Sequence, residues 1–80
     1  LKKIIYARVS SSKQKDDLER QIQFIQHKYN DYEIIKDIGS GFNFERPGFL
    51  SLMEQIFQGN IQQVVIAHPD RITRIGFSFI

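Results

Sequence analysis

Lys3-Ile4-Ile5-Tyr6-Ala7 is a short β-branched and aromatic run that ends just before the serine cluster Ser10-Ser11-Ser12. It is too short for a buried helix and is apolar on both faces, which is typical of a strand inside a sheet. Gln63-Val64-Val65-Ile66-Ala67 has the same character, and Tyr32-Glu33-Ile34-Ile35-Lys36 is a further candidate between the two. The sequence therefore predicts three strands.

Apolar residues at helical spacing separate these strands. A first helix is predicted from Asp16 to about Tyr29, and its apolar face is formed by Leu18, Ile22 and Ile25 or Phe24. A second helix is predicted from Pro47 to a glycine cap at Gly59-Asn60. Its apolar residues at helical spacing are Phe49, Leu50, Met53, Ile56 and Phe57. After Ile72 the pattern is amphipathic again and predicts a third helix, unfinished at the end of the chain.

The alternation of strand and helix predicts the α/β class, with a three-layer arrangement in which helices flank a parallel sheet. A chain of 80 residues has room for one small domain. The absence of cysteine excludes a disulfide framework and a thiolate zinc site, and His27 and His68 are too far apart for a cluster of metal ligands. Because no run of about 18 apolar residues occurs, we expect a cytoplasmic protein.

Polar residues follow each predicted strand. In a parallel sheet these positions lie at one edge, where ligands bind. The residues at this edge are Arg8, Ser10, Ser11, Ser12 and Gln14 after the first strand, Asp37, Ser40 and Arg46 after the second, and Asp70, Arg71 and Arg74 after the third. Four guanidinium groups, whose planar forks match phosphate oxygens, predict a phosphate or phosphodiester ligand.

A hydroxyl among arginines indicates attack on phosphorus, which requires no metal. Ser10 is the candidate nucleophile because strand alternation places it on the same face as Arg8. A serine after a strand is more often a helix cap, a role that we assign to Ser11 or Ser12. Arg71 and Arg74, three residues apart, would share one face of the third helix.

Three ordered blocks of the chain match a known pattern. The first is Tyr6-Ala7-Arg8-Val9-Ser10-Ser11-Ser12-Lys13-Gln14, the second is Asp37-Ile38-Gly39-Ser40-Gly41 with Arg46-Pro47-Gly48, and the third is Asp70-Arg71-Ile72-Thr73-Arg74. These blocks resemble the motifs of the serine recombinases, the resolvase and invertase family, and the third is most similar to the transposases of small insertion sequences. The resemblance implies that residues 1–80 are the N-terminal part of a catalytic domain that is incomplete on its C-terminal side.

The resemblance also implies a role for each matching residue. Ser10 corresponds to the nucleophile that forms a phosphoserine link to DNA. The implied catalytic partners are Arg8, Asp70, Arg71 and Arg74, and the implied substrate-binding residues are Arg46, on a mobile loop, Gln14 and Ser40. The implied reaction is DNA cleavage and rejoining by a dimer or tetramer bound to double-stranded DNA at the nucleoid, with neither a cofactor nor a metal. Two alternatives stay open: a catalytically silent dimerisation or DNA-docking domain, and a generic α/β phosphate-binding module.

Overall fold

A mixed four-stranded sheet with one helix on each face accounts for the described part of the chain. The computed structural model describes residues 1–40, 42–67 and the backbone of 72–76. Its elements are β1 (Lys2–Val9), a 3₁₀ turn (Ser12–Gln14), α1 (Lys15–Lys28), β2 (Glu33–Ile38), α2 (Pro47–Phe57), β3 (Ile61–Ala67) and β4 (Ile72–Gly76). The strand order is β2-β1-β3-β4, and β1 pairs in parallel with both β2 and β3. The predicted α/β class and three-stranded parallel sheet are confirmed.

The two helices bury opposite faces of β1, as the alternation of its side chains requires. On one face Ile5, Ala7 and Val9 pack against the apolar face of α1, which consists of Leu18, Ile22 and Ile25. Phe24, the alternative to Ile25, is exposed. On the other face Ile4 and Tyr6 pack against Leu52 of α2 and against β3. This packing makes β1 the centre of the core and brings both helix starts to the edge where β1 ends.

The buried face of α2 differs from the predicted one. Leu52 is its most buried residue, and Phe49, Met53 and Ile56 pack beside it at spacings of three and four. Leu50 and Phe57 fall one position outside this stripe and are 51% and 86% exposed. The predicted cap is confirmed: Gly59 has a φ of 72°, and its N–H donates to the Ile56 carbonyl at 3.0 Å.

The predicted third helix is wrong over the described residues. Residues 72–76 form strand β4, which pairs antiparallel with β3, from Ala67 opposite Ile72 to Gln63 opposite Gly76. The physical reason is the free edge of β3, whose unpaired backbone groups are satisfied by an added strand. Three of these five residues are β-branched, which also favours a strand. Neither α1 nor α2, the helices within residues 1–67, has the length and hydropathy of a membrane span.

Candidate functional site

The loop after β1 presents the candidate nucleophile to solvent. β1 ends at Val9, and the exposed Ser10 donates its hydroxyl hydrogen to Gln14 Oε1 at 2.9 Å. The same amide oxygen accepts the backbone N–H of Ser10 at 3.2 Å and that of Ser11 at 3.3 Å. Ser11 occupies the N-cap position of the 3₁₀ turn, one of the two positions at which a capping serine was expected. Gln14 therefore fixes both the loop and the Ser10 hydroxyl.

Arg8 links the ends of β1 and β2. It lies opposite Asp37 in the parallel register, and its side chain is half-buried. Its Nη1 donates to the Gly39 carbonyl at 2.9 Å, and the Gly39 N–H donates to the Val9 carbonyl at the same distance. A carbonyl does not neutralise a guanidinium, so Arg8 keeps its positive charge available two residues before Ser10.

Asp37 is a buried carboxylate that holds the start of α2. It is 5% exposed, and its two oxygens accept the N–H groups of Gly48 and Phe49, each at 2.8 Å. Those N–H groups lie in the first helical turn, where no intrahelical acceptor exists, and the first helical residue is Pro47, which has no N–H. A negative charge is also favourable at this positive end of the helix dipole. Asp37 thus caps α2 from a neighbouring strand.

Tyr6 and Gly48 also lie against the Asp37 carboxylate. The Tyr6 hydroxyl donates to Asp37 Oδ2 at 2.7 Å. Burial raises the pKa of Tyr6 to about 12, and the hydrogen bond and negative charge of Asp37 act in the same direction. A Cβ at Gly48 would lie 2.6 Å from Asp37 Oδ1, so only glycine permits this close approach.

Arg46 is buried against Asp37. The residue is 5% exposed, and its Nε lies 3.7 Å from Asp37 Oδ2, an ion-pair distance without a hydrogen bond. Its Nη1 donates to the Ser40 carbonyl at 2.5 Å, and its guanidinium lies over the Phe49 ring, 5.1 Å from the centroid. Exposed Ser40, a predicted substrate-binding residue, accepts the Phe42 N–H on its hydroxyl at 3.1 Å. Arg46 and Ser40 are therefore linked to each other and to Asp37.

The predicted residues of the third block are described only in part. Asp70 and Arg71 lie outside the described residues, whereas Arg74 lies in β4 opposite Val65. The expectation that Arg71 and Arg74 share a helical face is wrong, because residue 74 is in a strand. No cluster of three or more His, Asp or Glu side chains suited to a metal ion occurs within residues 1–40 and 42–67.

Two residues of the site were not assigned a role from the sequence. Tyr6 was interpreted only as part of a strand, and Asp37 only as one carboxylate at the edge of the sheet. A usable signal existed for Asp37: it directly follows the predicted strand and lies ten residues before Pro47, whose helix would start without a capping side chain on Arg46. For Tyr6 the signal is its position two residues before Arg8, because side chains two apart in a strand lie on the same face of the sheet.

The sequence matches the family model described as the resolvase N-terminal domain over residues 3–80. The chain belongs to the resolvase family. It is 51% identical over 79 residues to a protein of Acanthamoeba polyphaga mimivirus named "Putative resolvase L103", covering 99% of this chain and 41% of that protein. The chain thus spans less than half of this relative.

Solved structures agree with this assignment. A serine recombinase from Sulfolobus solfataricus has a TM-score of 0.79 and 49% identity, covering 88% of this chain and 51% of its own. The first open reading frame of transposon ISC1904 from Sulfolobus solfataricus P2 has a TM-score of 0.77 and 44% identity, with 89% and 51% coverage. The C-terminal catalytic domain of ISC1926 TnpA, an IS607-like serine recombinase, has a TM-score of 0.66 and 42% identity, covering 78% of this chain and 48% of its own. The family and its insertion-sequence branch are as the three sequence blocks predicted.

Proposed function

We propose that this domain cleaves and rejoins double-stranded DNA through a covalent bond between Ser10 and a DNA phosphate, as part of a site-specific recombinase or transposase. The observation that carries the proposal is the exposed Ser10 hydroxyl, held by Gln14 at the end of β1 and two residues after the charged Arg8. Membership of the resolvase family supports it.

The proposed step is a displacement at phosphorus. Ser10 Oγ forms a bond to the phosphorus atom, the bond from phosphorus to a deoxyribose oxygen breaks, and the serine proton leaves as the departing oxygen gains one. The phosphodiester is exchanged for a phosphoserine ester of similar energy, so the reverse attack by a deoxyribose hydroxyl rejoins DNA without ATP. Arg8 is suited to the negative charge that develops on the phosphate oxygens.

Gln14 has a positioning role in this proposal. Its amide oxygen accepts the hydroxyl hydrogen of Ser10, so the lone pairs of Ser10 Oγ are free to point away from the turn. An amide cannot serve as the general base at neutral pH, so the proton must pass to another group or to water. We therefore assign orientation to Gln14, and we keep Asp70, Arg71 and Arg74 as proposed catalytic residues of the third block.

Arg46 and Ser40 remain proposed substrate-binding residues, with a condition that the structure adds. The Arg46 guanidinium is enclosed by Asp37, Phe49 and the Ser40 carbonyl. Contact with a DNA phosphate therefore requires the connection between β2 and α2 to move, and the phosphate would replace the charge of Asp37. Dimer and tetramer formation on DNA belongs to the same proposal and concerns the full-length protein.

The test is the trapping of protein–DNA adducts with the full-length protein. It would be incubated with duplex fragments from its own genomic locus, and adducts would be resolved on a denaturing gel. We expect adducts with the wild type, with Ser11→Ala and with Ser12→Ala, and none with Ser10→Ala. Adducts that persist with Ser10→Ala would refute the assignment of the nucleophile. Binding without adducts in the wild type would favour the silent docking domain.

A further inference from the structure

Most positive charges within residues 1–40 and 42–67 fall into two groups. At the start of β1, the ammonium groups of Lys2 and Lys3 lie 3.7 Å from Glu33 and 3.8 Å from Asp31. Arg20 pairs with Asp17, Lys36 with Glu19 and Arg46 with Asp37. Within residues 1–40 and 42–67, by contrast, Arg8, Lys13 and Lys15 have no ion pair with an acidic side chain. All three lie at the other end of β1, around Ser10. Lys28, the last residue of α1, also has no acidic partner among these residues, but its ammonium group lies over the Tyr29 ring, 5.7 Å from the centroid.

Lys13 and Lys15 are placed on either side of Gln14. Lys13 belongs to the 3₁₀ turn, Lys15 is the first residue of α1, and both are exposed. Because consecutive Cα atoms are about 3.8 Å apart, both lysines lie next to the residue that holds the Ser10 hydroxyl. Asp16 is the acidic neighbour and offsets part of their charge. The surface formed by Lys13 and Lys15, here called the turn lysines, is still positive together with Arg8.

We propose that the turn lysines bind the DNA phosphates that flank the phosphate attacked by Ser10. This inference rests on the proposed function, because it takes DNA as the substrate. The two kinds of cation suit two tasks: the planar guanidinium of Arg8 fits a single reacting phosphate, whereas flexible, strongly hydrated ammonium groups supply point charges to its neighbours. Contacts of this kind fix the register of a protein on DNA and supply affinity without reading the sequence.

The paired lysines at the start of β1 provide a matched control. Replacing either lysine pair with glutamine removes two positive charges. The eight residues of β1 span roughly 25 Å, which is more than two Debye lengths at 0.1 M salt. Lys2 and Lys3 are therefore too far from Ser10 to act on DNA there, and their charges are already matched by Glu33 and Asp31.

The experiment measures binding of the full-length protein to a fluorescent 40-base-pair duplex of arbitrary sequence between 50 and 200 mM salt. For Lys13→Gln/Lys15→Gln, we expect the slope of log affinity against log salt to decrease by about 2, with an affinity loss of roughly ten- to a hundredfold at 100 mM. Lys2→Gln/Lys3→Gln should retain the wild-type slope. Lys13→Arg/Lys15→Arg should retain most of the affinity, which separates loss of charge from loss of folding.

The outcomes distinguish this inference from the proposed function. If the wild type binds DNA and forms adducts but the variant of the turn lysines keeps its salt slope, this inference is overturned and the recombinase assignment stands. If the slope is unchanged and sedimentation shows a loss of self-association, the turn lysines contact a second copy instead, which also overturns it. If the wild type neither binds nor attacks DNA, the proposed function fails first.

Discussion

The loops that follow β1 and β2 lie at the same edge of the sheet and are built in opposite ways. After β1, the three serines are exposed, and within the described part of the chain the Ser10 hydroxyl bonds to Gln14, four residues further on. At the end of β2 and in the loop after it, Asp37 and Arg46 are buried and bind groups from β1, from the loop itself and from α2. In the proposed function, the first loop presents the reactive groups to DNA, whereas the buried residues at the second position hold β1, β2 and α2 together.

Substitutions in the two loops should therefore differ in how much free energy of unfolding they remove. An exposed hydrogen bond can be replaced by one to water, so its loss costs little free energy of unfolding. The buried Asp37 carboxylate accepts three hydrogen bonds and faces the Arg46 guanidinium. Water cannot take its place there, so the loss of these interactions costs much more. We therefore expect substitutions after β1 to act on chemistry and those after β2 to act on folding.

The largest expected effect on stability is that of Asp37→Ala. It leaves the buried Arg46 charge without its partner and removes the acceptor for the Tyr6 hydroxyl and for two helix N–H groups. We expect a loss of about 3–5 kcal/mol in the free energy of unfolding. Chemical denaturation of the full-length protein measures it, and Asp17→Ala, an exposed residue that pairs with Arg20, is the control. A loss below about 1 kcal/mol would show that Asp37 is not the anchor of α2.

The next effect is a dependence of stability on alkaline pH caused by Tyr6. Its pKa is raised from 10.0 to about 12 in the folded state, so folding favours the neutral phenol. This contribution is complete below pH 10, decreases as the pH rises towards 12 and is absent above it. A difference of two pKa units corresponds to about 2–3 kcal/mol.

The variant Tyr6→Phe removes this titration. Between pH 9 and pH 12, the wild type should lose about 2–3 kcal/mol more free energy of unfolding than the variant. The difference in absorbance at 295 nm between the two proteins should show one tyrosine that ionises near pH 12. A difference titration centred near pH 10 would show that the hydroxyl of Tyr6 is not held by Asp37.

The contrast between the local loop after β1 and the buried contacts around Asp37 also explains which parts of the structure the sequence predicts. β1, α1, β2, α2 and β3 follow from apolar spacing, because the side chains that bury a helix or a strand recur with its own local period. Ser10 and Gln14 are four residues apart in one motif, so a single turn of the chain is enough to bring their side chains into contact. These features depend on short stretches of chain.

The features that were missed depend on contacts between different elements of the fold. The burial of Arg46 requires Asp37, nine residues earlier, and the Phe49 ring on α2, which no local period encodes. β4 was interpreted as a helix because Ile72–Gly76 is too short to distinguish the two periods, and the edge of β3 decides its conformation. Leu52 was overlooked because the packing of α2 on the sheet, and not spacing alone, selects which of its apolar residues is buried.

The smallest expected effect on stability is that of Gln14→Ala, and it tests the comparison most directly. The substitution removes one amide oxygen that accepts from Ser10 Oγ, Ser10 N and Ser11 N in an exposed turn, where water can take its place. We expect a change below about 1 kcal/mol in the free energy of unfolding. The rate of adduct formation should nevertheless fall, because the Ser10 hydroxyl loses the group that orients it. Gln14→Glu, which keeps the acceptor, should restore part of that rate. A loss of stability as large as that of Asp37→Ala, with an unchanged adduct rate, would reverse the roles assigned to the two loops.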